Sequence, residues 1–452
     1  MPRGFESHAL RASPRCRPGR RPMAPPKIVD APEVRPRHGR LPRRHPVRRI
    51  VGIVALGLTV VLVATVGVVG ISFLQLQGDV ETVDLAGDPP PAFAEQQGAF
   101  NILLVGSDSR EGQGSVDDGY TGGALNDVTM VLHVSEDHQR ATVVSFPRDL
   151  LIDFPACPNP DGGDDIPPAR TQQLNTALGR GGLACVAEVV ESISGLEIPY
   201  AALIGFDGVV NMSSAVGGVP VCFAGDIDDP YTGFSITEGT HDIEGQQALA
   251  FLRMRHGVGD GSDLARISSQ QVFLSSLIRK LQSDAVLTDL GRLYQIAQVA
   301  TSSMTMSSSL NDVGTMVAMA RVLADIPLDT MQFIQYPSAS NGTGRVVPTA
   351  VADEVMALIA ADQPVTLDPN ATGQGAEATQ DPTATTDPGA TDPAATDPAA
   401  SDPAASDPAA SDPATSDPAA SDPSASAPPS TPIEGVQGTS ASQQTCVVPY
   451  QY

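Results

Sequence analysis

The most prominent apolar pattern is an uninterrupted stretch near the amino terminus. It runs from Ile50 to Phe73 and contains no charged residue. About 20 apolar residues in helical conformation are enough to cross a bilayer. A cleaved signal peptide is the competing interpretation, but its apolar core spans only roughly 7–15 residues, and no small-residue cleavage site stands out after this stretch. The pattern therefore predicts one transmembrane helix over residues 50–73.

The charges beside this stretch predict its orientation. Four arginines come immediately before it: Arg43, Arg44, Arg48 and Arg49. Basic flanks favour the cytoplasmic side, so we expect the amino terminus in the cytoplasm and the rest of the chain outside. Residues 1–49 are rich in Arg and Pro, which predicts a disordered segment suited to an anionic surface. The formal net charge is −25, and nearly all acidic residues follow residue 49, which argues against nucleic-acid binding there.

After a polar stalk over residues 74–99, shorter apolar runs predict a folded domain. Runs at 100–105, 128–134 and 141–146 are typical of β-strands, and the polar bend at 135–140 predicts a hairpin between the last two. In open α/β sheets, ligands bind at strand ends. The polar side chains at the ends of these strands are therefore candidate site residues: Asp108, Arg110, Asp127, Arg148 and Asp149.

Later patterns contain both helices and strands. Apolar residues recur at helical spacing over 183–193, where Gly195 ends the pattern, and again over 285–326 and 350–361. Short runs at 201–206, 219–223 and 331–336 are typical of strands. The folded domain is therefore expected to cover residues 100–362.

The stretch at 242–281 concentrates side chains that bind anions. Its basic and amide side chains lie between two helical patterns: Arg253, Arg255, Arg266 and Gln270. Ser262 is a suitable helix N-cap, and helical spacing then places Asp263, Arg266 and Gln270 on one face. Arginine offers paired donors to phosphate and keeps its charge. With Arg148, these arginines are candidate phosphate ligands. Structural ion pairing is the other interpretation of the same residues.

Two aspartates are the best candidates for metal ligands. Mg²⁺ is commonly held by one or two carboxylates together with phosphate oxygens, and Asp108 and Asp127 stand at neighbouring strand ends. The alternative is that each aspartate satisfies amides of its own turn. His241 and His256 are candidate acid–base groups, although a single loop histidine is usually only solvated.

The cysteines fit an oxidising location. Cys157 and Cys185 flank a Pro-, Gly- and Asp-rich insertion, and a disulfide between them would fasten it. Cys222 and Cys446 either pair or remain free. No cysteine spacing is typical of a zinc site.

The chain loses its core pattern beyond Gln363. Residues 386–425 repeat a pentad of the form [S/T]-D-P-A-A. Frequent proline with few apolar residues keeps a chain extended. We therefore expect a disordered spacer over 363–443, followed by a short segment at 444–452 that either docks on the domain or stays free. No GxSxG, P-loop or dinucleotide fingerprint is present, which removes the commonest hydrolase and nucleotide-binding classes.

Several motifs together resemble the LytR–CpsA–Psr family of bacterial envelope proteins, and the paired cysteines resemble actinobacterial members. The resemblance covers residues 100–281 in family order. The motifs are NILLVGSDSR (101–110), NDVTMVLHV (126–134), VVSFPRDL (143–150), LNTALGRGG (174–182), FDGVVNMSSAVGGVPVCF (206–223) and GQQALAFLRMRHGVGDGSDLARISSQQ (245–271).

The resemblance implies an α/β fold, an αβα sandwich with a central mixed sheet, and an apolar groove for a polyprenyl chain. It implies transfer of a glycopolymer from a polyprenyl-pyrophosphate carrier to peptidoglycan, with a single-pass membrane anchor and an extracytoplasmic domain. By this resemblance Asp108 and Asp127 hold Mg²⁺ or Mn²⁺, and Asp108 is also a candidate general base. The residues implied to bind the pyrophosphate are Arg110, Arg148, Arg253, Arg255, Asp263, Arg266 and Gln270, and Asn175 also falls on a recurring position.

Two positions depart from the family pattern. Leu125 and Ser269 stand where relatives often carry arginine, so the rate or the usual substrate is expected to differ. Two other functions use the same residues. One is hydrolysis of the polyprenyl pyrophosphate with water as acceptor, and the other is binding of lipid or wall polymer without catalysis.

Overall fold

In a computed structural model of this protein, residues 82–85, 98–109, 123–283, 290–379 and 431–450 are described. They belong to one compact unit within Gly67–Tyr452. The predicted basic segment at 1–49, the predicted transmembrane helix at 50–73 and Arg110 lie outside these residues. No helix among the described residues combines the length and apolar character that a bilayer span requires.

The described chain contains both strands and helices. The strands are β1 (Thr82–Val83), β2 (Phe100–Ser107), β3 (Asn126–Val134), β4 (Ala141–Phe146), β5 (Leu151–Phe154), β6 (Ala169–Gln173), β7 (Tyr200–Ile204), β8 (Val219–Phe223), β9 (Ile227–Asp229), β10 (Phe234–Ile236), β11 (Gly239–Ile243), β12 (Met304–Ser307), β13 (Met331–Gln335), β14 (Ser338–Ser340), β15 (Val346–Pro348), β16 (Ala376–Ala378), β17 (Gly438–Ser440) and β18 (Thr445–Val447). The α-helices are α1 (Ala177–Ser194), α2 (Phe206–Val216), α3 (Gly245–Arg253), α4 (Asp263–Ser283), α5 (Leu290–Ser303), α6 (Val313–Asp325) and α7 (Ala350–Ala360), and short 3₁₀ helices span Leu174–Thr176 and Leu328–Thr330.

A mixed eight-stranded sheet forms the centre of the domain. Its order is β1-β12-β7-β2-β3-β4-β13-β17. The predicted hairpin of β3 and β4 is antiparallel, whereas β7 and β13 pair in parallel with β2 and β4. A smaller sheet has the order β11-β8-β18-β16. The prediction of an α/β fold with a central mixed sheet is therefore confirmed.

Alternating side chains give the central sheet two buried faces. On β2, Leu103 and Val105 pack into a cluster that contains residues of α1 and α7. Ile102 and Leu104 pack on the opposite face, against a cluster that includes side chains of α4, α5 and α6. The helices thus cover both faces of the sheet, which leaves its strand ends to form a site.

Two predicted elements differ from the structure. The strand predicted over 201–206 ends at Ile204, because Gly205 is the extended N-cap of α2 and Phe206 begins that helix. The helical pattern at 285–326 is interrupted by β12, which pairs antiparallel with β7. The four-residue run of β12 is too short to have its own periodicity, so only pairing with a neighbouring strand defines it.

The predicted disordered spacer over 363–443 is too long at both ends. Residues 363–379 and 431–443 belong to the folded domain, with β17 paired to β13 and Val436 only 2% exposed. The final segment docks as β18 between β8 and β16. Three-residue strands lack a detectable apolar pattern and become ordered by joining an existing sheet edge. The whole pentad repeat over 386–425 lies outside the described residues.

Four cysteines of the described residues form two disulfides. Cys157 is bonded to Cys185, which confirms the predicted bridge. Cys222 is bonded to Cys446, and the two residues are direct partners in the parallel pairing of β8 with β18. This second bridge fastens the carboxyl-terminal segment to the smaller sheet.

Candidate active site

A β-bulge positions Asp127 at the edge of the central sheet. Gly106 pairs with Val128 and Ser107 pairs with Asn126, so Asp127 is the extra residue between two partners. A bulge bends its strand and redirects the side chain. Gly106 is required for this close pairing, because a Cβ there would lie 2.9 Å from the Cβ of Val128.

Buried polar contacts fix the residues on either side of the bulge. Asn126 is fully buried, and its Oδ1 accepts a hydrogen bond from the backbone N–H of Leu178 at 3.1 Å. Asp108 accepts a hydrogen bond from the backbone N–H of Leu125 through Oδ1 at 2.9 Å. The backbone N–H of Asp108 in turn donates to the carbonyl of Leu125 at 3.1 Å. Both predicted metal ligands therefore lie at the same end of the β2–β3 pair.

Arg148 follows β4 and joins three carboxylates. Its Nη1 lies 2.8 Å from Oδ1 of Asp127, and its Nε lies 3.5 Å from Asp149 and 3.7 Å from Asp263. Burial lowers the pKa of Arg148, but these carboxylates outweigh it and hold the pKa above its ordinary value. Arg148 is therefore a fixed cation at the strand ends.

The start of α4 supplies the second fixed cation. Ser262 caps the helix as predicted, since its Oγ accepts from the N–H of Ala265 at 3.2 Å. Arg266 is 4% exposed, and its Nη2 lies 2.6 Å from Asp263 and donates to the carbonyl of Asp127 at 2.8 Å. Helical spacing places Gln270 one turn later, where its Nε2 donates to the carbonyl of Leu252 at 3.0 Å. Gln270 thus connects α4 to the end of α3.

Arg253 and Arg255 complete the basic cluster from the end of α3. The Cζ of Arg253 lies 4.4 Å from the centre of the Phe206 ring, a cation–π contact. Arg255 is half-buried, and no ion pair to its guanidinium is found within the described residues. Burial, together with the charges of Arg148 and Arg266, lowers the pKa of Arg255. Arg255 is thus a cation that an arriving anion would stabilise.

Most of these side chains line a cavity of about 450 Å³. Its polar lining includes Asp127, Arg148, Arg253, Arg255, Arg266 and Gln270. Its remaining wall is mostly apolar and comes from the central sheet, α2, α3 and α4: Leu104, Val128, Met130, Ile204, Val209, Met212, Val216, Leu249, Phe273, Leu274 and Leu277. Such a cavity fits an amphipathic ligand with an anionic group joined to a long apolar chain.

The structure brings together most of the residues predicted for the site. Six line the cavity, as given above, and Asp263 contacts Arg148 and Arg266. Asp108 lies on the same sheet edge without lining the cavity. The backbone N–H of Asn175 donates to the carbonyl of Arg148 at 3.1 Å, so Asn175 helps to fix the backbone of Arg148. Arg110 lies outside the described residues.

The histidines separate into two environments. His241 lies on β11, where its Nε2 contacts the carbonyl of Thr237 at 3.0 Å, and it does not line the cavity. His256 lines the cavity, and its ring centre is 4.5 Å from that of Tyr231. Among the lining residues that the sequence prediction did not single out are Asp229, Tyr231 and Thr232 of the β9–β10 hairpin. Their signal is tertiary, because no local pattern relates the β9–β10 hairpin to the arginines.

A divalent cation is compatible with the donors at Asp108 and Asp127. Both are carboxylates, the oxygen ligands that Mg²⁺ prefers. Asp127 is already paired with Arg148 through Oδ1, while its Oδ2 lies 3.8 Å from Arg266 and has a weaker contact. No group of three or more His, Cys, Asp or Glu suited to a metal occurs in the described part of the chain. A cation here would therefore need further oxygen ligands from a bound anion or water.

Sequence comparison assigns the class of protein. The LytR_cpsA_psr family model matches residues 74–359, well over half of the chain. The chain therefore belongs to the LytR–CpsA–Psr family, as the motifs predicted.

Individual relatives come from bacterial cell-envelope synthesis. The cell wall biosynthesis protein LcpA of Corynebacterium glutamicum is 29% identical over 283 residues, which cover 57% of this chain and 54% of the relative. The probable cell wall biosynthesis protein LcpB of the same organism is 32% identical over 263 residues, with 57% of each chain covered. The polyisoprenyl-teichoic acid–peptidoglycan teichoic acid transferase TagU of Enterococcus faecalis is 27% identical over 214 residues, which cover 47% of this chain and 63% of the relative. The chain thus spans little more than half the length of the curated relatives it matches.

Proposed function

We propose that this protein is a phosphotransferase that attaches a glycopolymer from a polyprenyl-pyrophosphate carrier to peptidoglycan. The observation that carries the proposal is the cavity itself, where an apolar wall meets four arginines. A polyprenyl tail is favoured in an apolar cavity because water is excluded from its surface, and a pyrophosphate is favoured beside guanidinium groups. Family membership and the name of the TagU relative support the same activity.

The proposed transfer breaks one P–O bond and forms another. A hydroxyl oxygen of peptidoglycan attacks the phosphorus next to the glycan. The bond from that phosphorus to the bridging oxygen breaks, and polyprenyl phosphate leaves with the bonding electrons. The hydroxyl proton passes to a base, for which Asp108 is the candidate. The product is a phosphodiester between glycan and peptidoglycan.

The arginines would act by position and charge. Displacement at phosphorus concentrates negative charge on the phosphoryl oxygens and the leaving group, and fixed cations stabilise that charge without reorganising. Arg148 and Arg266 are held in place by Asp127 and Asp263. Arg255 lacks such a carboxylate partner among the described residues and is the cation most available to the ligand.

We further propose that Asp108 and Asp127 hold Mg²⁺ or Mn²⁺ when the pyrophosphate is bound. When present, the cation would neutralise charge on the phosphate oxygens. A membrane location, with residues 50–73 as a single span and the domain outside, is proposed from the sequence. It would keep the cavity close to a lipid-borne donor.

The test is an assay of the purified full-length protein with a polyprenyl-pyrophosphate glycan and peptidoglycan oligomers, with and without Mg²⁺. We expect a covalent glycan–peptidoglycan product that depends on the cation. Arg148→Ala and Asp127→Ala should each reduce its formation by at least about 100-fold, the effect typical of removing one electrostatic group from a preorganised site. Unchanged product formation in these variants would disprove the site assignment. Release of phosphorylated sugar alone, with acceptor present, would establish a hydrolase instead.

A further inference from the structure

The arginine loop, residues 254–262, connects α3 to α4 and carries Arg255. Arg255 and His256 line the cavity from this loop. Three of its residues are glycines, and two of them, Gly259 and Gly261, have positive φ angles of 50° and 77°. Glycine has more conformational freedom than any other residue, and ordering it costs more entropy. The loop therefore needs contacts from elsewhere in the chain to hold one conformation.

Two segments from the carboxyl-terminal part of the chain provide such contacts. They are residues 372–378, which include β16, and residues 445–450, which include β18, and together they form the carboxyl-terminal clasp. The two strands pair antiparallel, and the N–H of Val448 donates to the carbonyl of Gly375 at 3.1 Å. Both segments lie beyond residues 74–359, which the family model matches. The clasp therefore cannot be inferred from the family match.

The clasp is bonded to the arginine loop through the backbone. The N–H of Gly259 donates to the carbonyl of Val448 at 2.9 Å, and the N–H of Tyr450 donates to the carbonyl of Gly257 at 3.0 Å. An antiparallel bridge joins the two chains between these bonds, as in a short pair of strands. The clasp thus fixes the backbone that directly follows Arg255.

Apolar packing and close backbone approach accompany these hydrogen bonds. Val258 of the loop and Val447 of the clasp are fully buried in one cluster, together with Ala265 of α4. A Cβ on Gly259 would overlap the carbonyl oxygen of Gln374 in the clasp. Glycine at this position therefore allows the clasp to approach the loop more closely than any other residue would permit.

Arg255 depends on the backbone of its loop more than Arg148 and Arg266 depend on theirs. Those two arginines are held through their side chains by Asp127 and Asp263. Arg255 has no such ion pair in the part of the chain that the structure describes. A cation that is already in place stabilises an anion without the cost of being ordered on binding. The conformation of the loop should therefore determine how much Arg255 contributes.

We propose that the carboxyl-terminal clasp positions Arg255 for the pyrophosphate by holding the arginine loop in one conformation. Val448 and Tyr450 are positioning residues in this role, since they act through the loop and do not line the cavity. The inference rests on the proposed function in one respect, namely that Arg255 meets a pyrophosphate. The contact between clasp and loop is independent of that function and can be measured without a ligand.

The test removes one backbone bond of the clasp in the full-length protein. Tyr450→Pro deletes the N–H that donates to Gly257 and changes no charge. A second variant ends after Val448 and keeps the disulfide at Cys446. Its matched control ends after Tyr450 and therefore retains both bonds to the loop. Calorimetric titration with inorganic pyrophosphate measures the affinity, and hydrogen exchange measures the protection of the arginine loop.

Tyr450→Pro and the chain that ends after Val448 should each bind pyrophosphate about tenfold more weakly, which corresponds to about 1.4 kcal/mol. The amides of the arginine loop should exchange faster in both variants, while the control matches the wild type. In an Arg255→Gln background, Tyr450→Pro should cause no further loss of affinity. Such non-additivity is expected of two residues that act as a unit, and a general loss of stability would not produce it.

Other results would overturn the inference. Wild-type affinity in both variants, or unchanged exchange of the arginine loop, would show that the clasp does not position Arg255. A further tenfold loss of affinity in the double variant, or faster exchange throughout the central sheet, would assign the clasp a purely structural role. In these cases the wild type still binds pyrophosphate, and the proposed function stands. If the wild type binds no pyrophosphate, the proposed function is wrong and the role of Arg255 is wrong with it.

Discussion

Replacing Arg255 by glutamine should raise the stability of the ligand-free protein while weakening its affinity for pyrophosphate. Burial and the neighbouring cations Arg148 and Arg266 lower the pKa of Arg255, which means that its charge is disfavoured in the folded state. Arginine remains protonated at neutral pH, so this cost is present under all ordinary conditions. It would be lost only as the pH rises through the depressed pKa. Removing the charge removes the cost.

The two effects have different sizes. Arg255 itself is partly exposed, so relief of its burial and of its repulsion from Arg148 and Arg266 should amount to only about 0.2–1 kcal/mol, the range found for exposed charge pairs. For a domain of this size that corresponds to a rise of at most about 2–4 °C in Tm. A hydrogen bond to a charged group contributes about 1.5–3 kcal/mol, so the affinity for pyrophosphate should fall by roughly 10- to 150-fold.

The matched control is Arg140→Gln. Arg140 is also partly exposed, but its Nη2 donates to the carbonyl of Asp362 at 2.9 Å, and the arginine does not line the cavity. This control should lose stability and keep its affinity. Thermal unfolding in phosphate-free buffer and calorimetric titration with inorganic pyrophosphate measure both quantities. Lower stability of Arg255→Gln, or wild-type affinity in that variant, would refute the reasoning.

Three further predictions concern the cavity, a buried histidine and a disulfide. Val209→Trp should fill part of the cavity beside its apolar wall. Polyprenyl pyrophosphate should then bind at least about tenfold more weakly, while the affinity for inorganic pyrophosphate stays unchanged. Equal losses of affinity for both ligands would contradict a binding site for the apolar tail. Burial lowers the pKa of His133 despite the opposing carboxylate of Asp362, so the unfolded state gains the proton first and stability should fall as the pH drops below about 6.5. His133→Gln should show a smaller decrease in Tm between pH 7.5 and pH 5, and an equal decrease would show that other groups cause it. Cys446→Ser removes a disulfide between residues that are 224 positions apart, which should lower the free energy of unfolding by about 5 kcal/mol in the chain-entropy model. Urea unfolding of the oxidised protein measures this free energy. A change below about 1 kcal/mol would mean that docking of the carboxyl-terminal segment does not depend on the disulfide.

The central strands could be predicted from the sequence because their periodicity and their packing agree. Phe100–Ser107 and Ala141–Phe146 lie in the middle of the sheet, where buried runs are longest. The helix cap at Ser262 and the shared face of Arg266 and Gln270 are local features as well. Local spacing was therefore sufficient to predict that these residues of the basic cluster lie together.

The rest of the site depends on contacts that are distant in sequence. The carboxyl-terminal strands of three residues each are ordered by pairing with β13 and β8, not by their own propensity. Asp229 resembles any turn aspartate in the sequence, and only the fold shows that this residue is buried and lines the arginine-containing cavity. The local sequence around these residues contains no signal for either feature.

The charges of the site nearly balance before any ligand binds. The four arginines face a similar number of carboxylates on the same strand ends and helix start: Asp108, Asp127, Asp149 and Asp263. The ligand-free site is therefore close to neutral. A pyrophosphate diester adds about two negative charges, which a divalent cation would offset. Lipid affinity should accordingly fall when the cation is removed with a chelator.

An arginine at Ser269, where the sequence resemblance leads us to expect one, should not compensate for that loss. Ser269 is 1% exposed, its Oγ donates to the carbonyl of Ala265 at 3.1 Å, and it does not line the cavity. An arginine at this position would overpack the interior and bury a charge without a partner, so Ser269→Arg should lower stability by several kcal/mol. Leu125 is half-buried and contacts Asp108 through its backbone, so Leu125→Arg should fold with near-normal stability. Thermal unfolding and lipid titration of both variants provide the measurement. A stable Ser269→Arg protein with raised affinity would contradict this reasoning and would mean that an arginine at position 269 can reach the ligand.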